Sequence, residues 1–98
     1  MSKKYASNVD KNQKEIVRLF RARGCSVAHT HNAGAGFPDL VIGCNGVTVL
    51  VEVKSEKGKL NERQVAFFNK FTGAIEVVRN EADVERVINV YFRQDDTI

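Results

Sequence analysis

Residues 37–54 read Phe37-Pro38-Asp39-Leu40-Val41-Ile42-Gly43-Cys44-Asn45-Gly46-Val47-Thr48-Val49-Leu50-Val51-Glu52-Val53-Lys54. Two β-rich runs, Asp39 to Cys44 and Val47 to Lys54, flank Asn45-Gly46, a dipeptide whose tolerance of positive φ suits a two-residue hairpin turn. Apolar residues occupy both faces of the hairpin: Val41 and Leu50 on one, and Leu40, Ile42, Val47, Val49, Val51 and Val53 on the other. That pattern predicts a hairpin in the middle of a sheet, with helices covering both sides. Pro38 opens the first run, where its missing N–H does little harm.

A two-residue loop sets Cys44 opposite Val47 and Gly43 opposite Thr48, so Asp39 falls opposite Glu52. Opposed side chains have Cβ atoms about 4.5–5.5 Å apart, and like charges in that position destabilise a sheet. Lys54 projects on the same face as Glu52, because strand side chains repeat every second residue. Its ammonium offsets only part of the repulsion. Paired hard oxygens are the donors Mg²⁺ takes when one or two carboxylates, water and a substrate phosphate fill its octahedron. The expected missing partner is therefore a divalent cation, Mg²⁺ or Mn²⁺. Such a centre polarises a phosphoryl group and activates water, while Lys54 positions that water or stabilises developing charge, which is the chemistry of phosphodiester hydrolysis. The competing reading, two acids with no role beyond an exposed sheet face, is opposed by the buried character of Val41 and Leu50 beside them.

Working outward, Asp10 and Gln13 form a D-x-x-Q capping pattern, followed by a helical stripe of Ile16, Leu19 and Phe20 that stops at Gly24. Residues 25–30 suggest a short strand, and Asn32-Ala33-Gly34-Ala35-Gly36 a flexible connection beside the substrate. Downstream, Asn61 and Gln64 form a second capping box, and Val65, Phe68 and Phe71 mark an inward stripe ended by Gly73. Phe67 breaks that stripe and is a candidate for a dimer surface. Residues 74–79 read as a strand, and Asn80 caps a last helix through Val84, Val87, Ile88 and Tyr91. The expected order is αβββαβα in a single domain spanning 1–98, with 1–9 and 94–98 as flexible tails.

Phe37-Pro38-Asp39 followed by Glu52-Val53-Lys54 on the partner strand resembles the signature of the PD-(D/E)xK nuclease superfamily. More narrowly, Gly36-Phe37-Pro38-Asp39-Leu40-Val41, Val51-Glu52-Val53-Lys54 and Lys59-Leu60-Asn61-Glu62-Arg63-Gln64 look like the VRR-NUC family in the short stand-alone form often found in phages. The resemblance implies an α/β fold with an αβββαβ restriction-endonuclease-like core, a central mixed sheet flanked by helices. It also implies a metal held by Asp39, Glu52 and the carbonyl of Val53, with Lys54 catalytic, Gln64 completing the site and an acidic residue from the first helix adding to it. Glu15 is the one acid inside that helix, about 40° from Leu19 on the helical wheel. Cleavage of branched DNA such as Holliday junctions, by a homodimer, is implied as well. A two-fold dimer would present two sites to a four-way junction of matching symmetry.

Charge distribution agrees with a polyanionic partner. Residues 1–23 hold Lys3, Lys4, Lys11, Lys14, Arg18, Arg21 and Arg23 against Asp10 and Glu15, whereas the acids dominate from Glu81 onward. Lys14, Lys57, Lys59 and Arg63 are the candidate phosphate contacts. Glycines 34 and 36 lack the lysine and spacing of a nucleotide-binding P-loop, so no nucleotide cofactor is expected. Cys25, Cys44, His29 and His31 lack zinc-site spacing, and the two cysteines read as core residues of a reducing compartment. No segment approaches the roughly 20 apolar residues of a membrane span, and no signal peptide is visible, so a cytoplasmic location is expected. Two other readings remain: a sequence-preferring nicking or restriction-type nuclease, for which 98 residues leave little room, and a non-catalytic DNA-binding subunit.

Overall fold

A computed structural model describes residues 3–93, with side chains from Lys11 onward. The elements are α1 (Lys3–Ala22), β1 (Ser26–His29), a 3-10 turn (His31–Ala33), β2 (Leu40–Cys44), β3 (Val47–Val53), α2 (Glu62–Lys70), β4 (Ile75–Val78), α3 (Glu81–Val87) and a π-helical turn (Ile88–Phe92). The expected tail at 94–98 lies outside the described residues. At the other end, α1 begins at Lys3 rather than Asp10. No glycine or proline interrupts residues 3–9, so the backbone at Asp10 is already helical and there is no helix start for the D-x-x-Q pattern to cap.

The sheet is mixed, in the order β1-β2-β3-β4, with antiparallel pairing up to β3 and a parallel β3–β4 pair. The hairpin therefore lies mid-sheet, as expected. Its register runs Leu40 to Val51, Val41 to Leu50 and Cys44 to Val47. Asn45 and Gly46 both adopt positive φ, 53° and 78°, as a two-residue turn that follows the twist of its strands requires. The side chain of Asn45 also donates to the Phe92 carbonyl at 2.7 Å, tying the turn to the end of the π-helical turn.

One face of the sheet is sealed. Ile16, Val17, Leu19 and Phe20 of α1, with Val84, Val87 and Phe92, enclose Leu40, Ile42, Val49, Val51, Val53 and Val78 in one buried cluster. The other face departs from expectation. Leu50 is buried there as expected, but among the described helices the one on this side is α2, in which no residue is buried; Val65 is 43% exposed and Phe71 38% exposed, so neither forms the inward stripe their spacing suggests. The position of α2 is set instead by its N-terminus and by an aromatic contact, with the Phe37 and Phe67 rings edge to face at 5.2 Å and Phe67 stacked on Phe71 at 5.4 Å.

Candidate active site

The site forms where β2 begins and β3 ends. Thr30 fixes the incoming chain: its N–H donates to the Asp39 carbonyl at 2.7 Å and its hydroxyl to the Pro38 carbonyl at 2.8 Å. Continued one step past Leu40–Val51, the hairpin register sets Asp39 against Glu52. Asp39 Oδ2 accepts the Val53 N–H at 3.0 Å, and its carboxyl is near enough to Glu52 to disfavour a second negative charge there. The convergence of the two acids follows from the turn length and the strand period.

Glu52 is 2% exposed and is the one charged residue among the buried set. Its Oε2 accepts from Gln64 Nε2 at 2.9 Å and faces Lys54 Nζ at 3.5 Å, while its Oε1 is buried with no hydrogen-bond partner. Burial first, then the adjacent Asp39, push the Glu52 pKa up from 4.5 to about 7, against a smaller opposing pull from Lys54. A buried acceptor left without a donor is costly. Two adjacent carboxylates with one buried, unpartnered oxygen are the donor set a hard divalent cation takes, so the residues fit such an ion.

Gln64 has two tasks. Its backbone N–H binds the Asn61 side chain and its Oε1 accepts the Asn61 N–H, each at 2.9 Å, completing the capping box, while Nε2 reaches Glu52. The helix start thus holds the carboxylate in place. Gly36 makes this approach feasible: a Cβ there would lie 2.4 Å from the Arg63 carbonyl oxygen, and its φ is +81°. The glycine-rich connection therefore serves close packing against α2 at this point, where flexibility had been expected.

Glu15 does not join the group. It pairs with Arg18 at 2.6 Å on the flank of α1 beside Ser55 and Glu56, a half-exposed pairing that holds its carboxyl below the usual range. The reason is geometric: α1 packs on the sheet face carrying Leu40, Val51 and Val53, and alternation directs Asp39, Glu52 and Lys54 to the other. Asn12 of α1 does reach this end of the sheet, its amide donating to the Lys54 carbonyl at 2.9 Å. Its place one turn before buried Ile16 was the available signal. Sequence reasoning also missed Arg79, whose guanidinium donates to the carbonyls of Ser55 and Gly58, both at 2.6 Å, and so clamps the loop after Lys54. Nothing in the residue pattern marks that role.

Lys57 and Lys59 are exposed on this loop, and Arg63 is exposed in the first turn of α2. Lys14 lies elsewhere, on the flank of α1 facing His29. Cys25 and Cys44 fall opposite each other one step beyond the Ser26–Gly43 pair, at the end of β1 away from His29. No group of three or more His, Cys, Asp or Glu side chains suited to a metal occurs among the described residues, so a two-carboxylate centre is the arrangement to weigh.

A mixed sheet that brings two acids and a lysine together at one end of a central hairpin is the architecture of a small α/β nuclease domain. The family model of the VRR-NUC domain matches residues 3–86, and the chain belongs to that family. A solved structure described as a VRR_NUC domain superposes with a TM-score of 0.72 at 28% identity, covering 86% of this chain and 97% of that one. No curated protein sequence matches. VRR-NUC nucleases are generally metal-dependent, and a nuclease domain implies a DNA substrate.

Proposed function

We propose that this chain is a Mg²⁺- or Mn²⁺-dependent endodeoxyribonuclease that hydrolyses phosphodiester bonds in branched DNA such as Holliday junctions. The observation that carries the reading is Glu52 Oε1, a buried carboxylate oxygen without a hydrogen-bond partner, on a residue whose pKa is raised by burial and by the neighbouring Asp39. Asp39, Glu52 and the Val53 carbonyl would hold the ion. When bound, the ion supplies Lewis-acid polarisation of the phosphoryl group and a more acidic water. Lys54 keeps a cation beside Glu52 and the scissile phosphate, where it orients the attacking water and stabilises charge developing on the phosphoryl oxygens. Gln64 holds Glu52 through its Oε2, leaving Oε1 for the ion. Lys57, Lys59 and Arg63 border the site and would contact phosphates on either side of the cut.

The branched-DNA reading joins the short VRR-NUC form to the open sheet face. Phe37, Phe67 and Phe71 form a partly exposed aromatic group between the glycine-rich connection and α2 that a second copy of the chain would cover. A two-fold pair would offer two sites to a four-way junction. Action in the cytoplasm, where such DNA is met, belongs to the same proposal. Labelled four-way junction, flap, duplex and single-stranded DNA, each incubated with Mg²⁺, Mn²⁺ or EDTA, provide the test. Metal-dependent cutting strongest on the junction is the expected result, and no metal-dependent product on any substrate would remove the enzyme reading. Sedimentation showing only monomer, with and without DNA, would remove the dimer.

A further inference from the structure

The exposed side of α1 carries a row of cations that the catalytic site does not use. Lys11, Lys14, Arg18 and Arg21 follow one another at intervals of three and four residues, which places them within about 80° on one face of the helix. Glu15 is the single acid in the helix from Lys11 to Ala22, and it is engaged with Arg18. Lys14, Arg18 and Arg21 line a groove with Gln13, Val17 and His29 whose exposed lining is largely apolar. This combination, an apolar floor with a basic rim, is suited to a sugar–phosphate backbone.

The groove begins near the catalytic end of the sheet. At one end Gln13 Nε2 lies 3.5 Å from His29 Nδ1, and the next residue, Thr30, is the one bonded to Asp39 and Pro38. Asn12, one residue earlier in α1, binds the Lys54 carbonyl. The row therefore starts at the catalytic end of the sheet and leads away from it, since Arg21 lies two turns further along α1. From Lys11 to Arg21 the helix rises about 15 Å, the axial length of roughly four phosphates of one DNA strand.

We infer that the α1 groove is a second DNA-backbone contact, a track for a duplex arm leaving the cleavage site. This rests on the reading of the chain as a DNA nuclease, and extends its footprint from the loop around Lys57 to the opposite flank of the domain. The contact is to phosphates, so it adds affinity on any sequence and leaves base preference untouched.

The test is equilibrium binding of a fluorescent duplex in EDTA across a salt series, which needs no cleavage. Each phosphate contact contributes about 0.9 to the slope of log K against log salt. Lys14→Gln/Arg21→Gln should reduce the slope magnitude by about 1.8 by that rule, with an unchanged melting temperature showing that the fold is intact. Arg93→Gln, at the end of the π turn, removes a charge elsewhere and should leave the slope within error. An unchanged slope in the double variant, or an equal loss per charge in Arg93→Gln, would overturn the track. If wild-type protein binds with the expected slope but never cuts DNA with Mg²⁺ or Mn²⁺, the nuclease reading fails and the track stands.

Discussion

The two faces of the sheet are built to different standards. Toward α1 and α3, every strand residue of the buried cluster is covered by apolar side chains. Toward α2, a nine-residue helix with no buried residue lies over a face holding a buried acid, an orphaned oxygen and partly exposed aromatics. The sealed face supplies stability, and the open face holds a costly arrangement of like charges. Because both faces share the same two strands, the stable one can hold the other in geometry that would not persist alone.

Truncations probe the contrast most strongly. Phe20→Ala, at a fully buried position, is expected to cost about 3–5 kcal/mol, read by urea denaturation. Phe71→Ala should cost less than about 1 kcal/mol in the monomer, because much of that ring is already in solvent. A loss at Phe71 rivalling that at Phe20 would mean the open face is covered in solution, and would favour the two-fold assembly.

Within the site, Lys54→Ala should lower the cleavage rate about 10²–10³-fold, with DNA binding in EDTA largely retained. Equal loss of binding would move Lys54 from the reacting groups to the backbone contacts. A quantitative electrophoretic cleavage assay beside an anisotropy titration separates the two.

Glu52→Gln tests whether the open face is strained. Burial and Asp39 raise its pKa from 4.5 to about 7, so between these values the folded chain keeps a proton that the unfolded chain has released. The stability owed to this group is full below pH 4.5 and lost as pH rises through about 7. Metal-free wild type should thus be weakened by up to about 3 kcal/mol at pH 8 relative to pH 4.5 through this group. Glu52→Gln should remove that component while abolishing cleavage, so its melting temperature at pH 8 should exceed that of metal-free wild type. Thermal melts at both pH values check the sign.

A smaller effect is expected at the loop that meets α2. Gly36→Ala forces a side chain at φ +81° against the Arg63 carbonyl and should cost about 1–3 kcal/mol, with slower cleavage because Gln64 follows Arg63. Melting and cleavage that both match wild type would show that the close packing there is dispensable.

The legible part of this molecule was the part governed by short-range rules. Asn45-Gly46 fixes the loop length, loop length fixes register, and register alone brings Asp39 to Glu52; Asn61 and Gln64 likewise specified the start of α2. Tertiary choices were less legible. Glu15 sits near the buried stripe on a helical wheel, but a wheel does not say which face of the sheet the helix will cover, and α1 covers the face away from the acids. The stripe through Val65, Phe68 and Phe71 presumed a closed layer on both sides, whereas the orientation of α2 is governed by Gln64 reaching Glu52 and by Phe37 packing on Phe67. Arg79 acts on backbone carbonyls of a distant loop, a contact with no sequence period to betray it.

Calorimetric titration of metal-free protein with Mn²⁺ at pH 8, for wild type, Asp39→Asn and Glu52→Gln, addresses the central claim most directly. One strong site per chain in wild type, weakened at least tenfold by either substitution and accompanied by a rise in melting temperature on binding, is the predicted outcome. Mn²⁺ binding that is absent from wild type, or that survives both substitutions unchanged, would contradict the two-carboxylate centre.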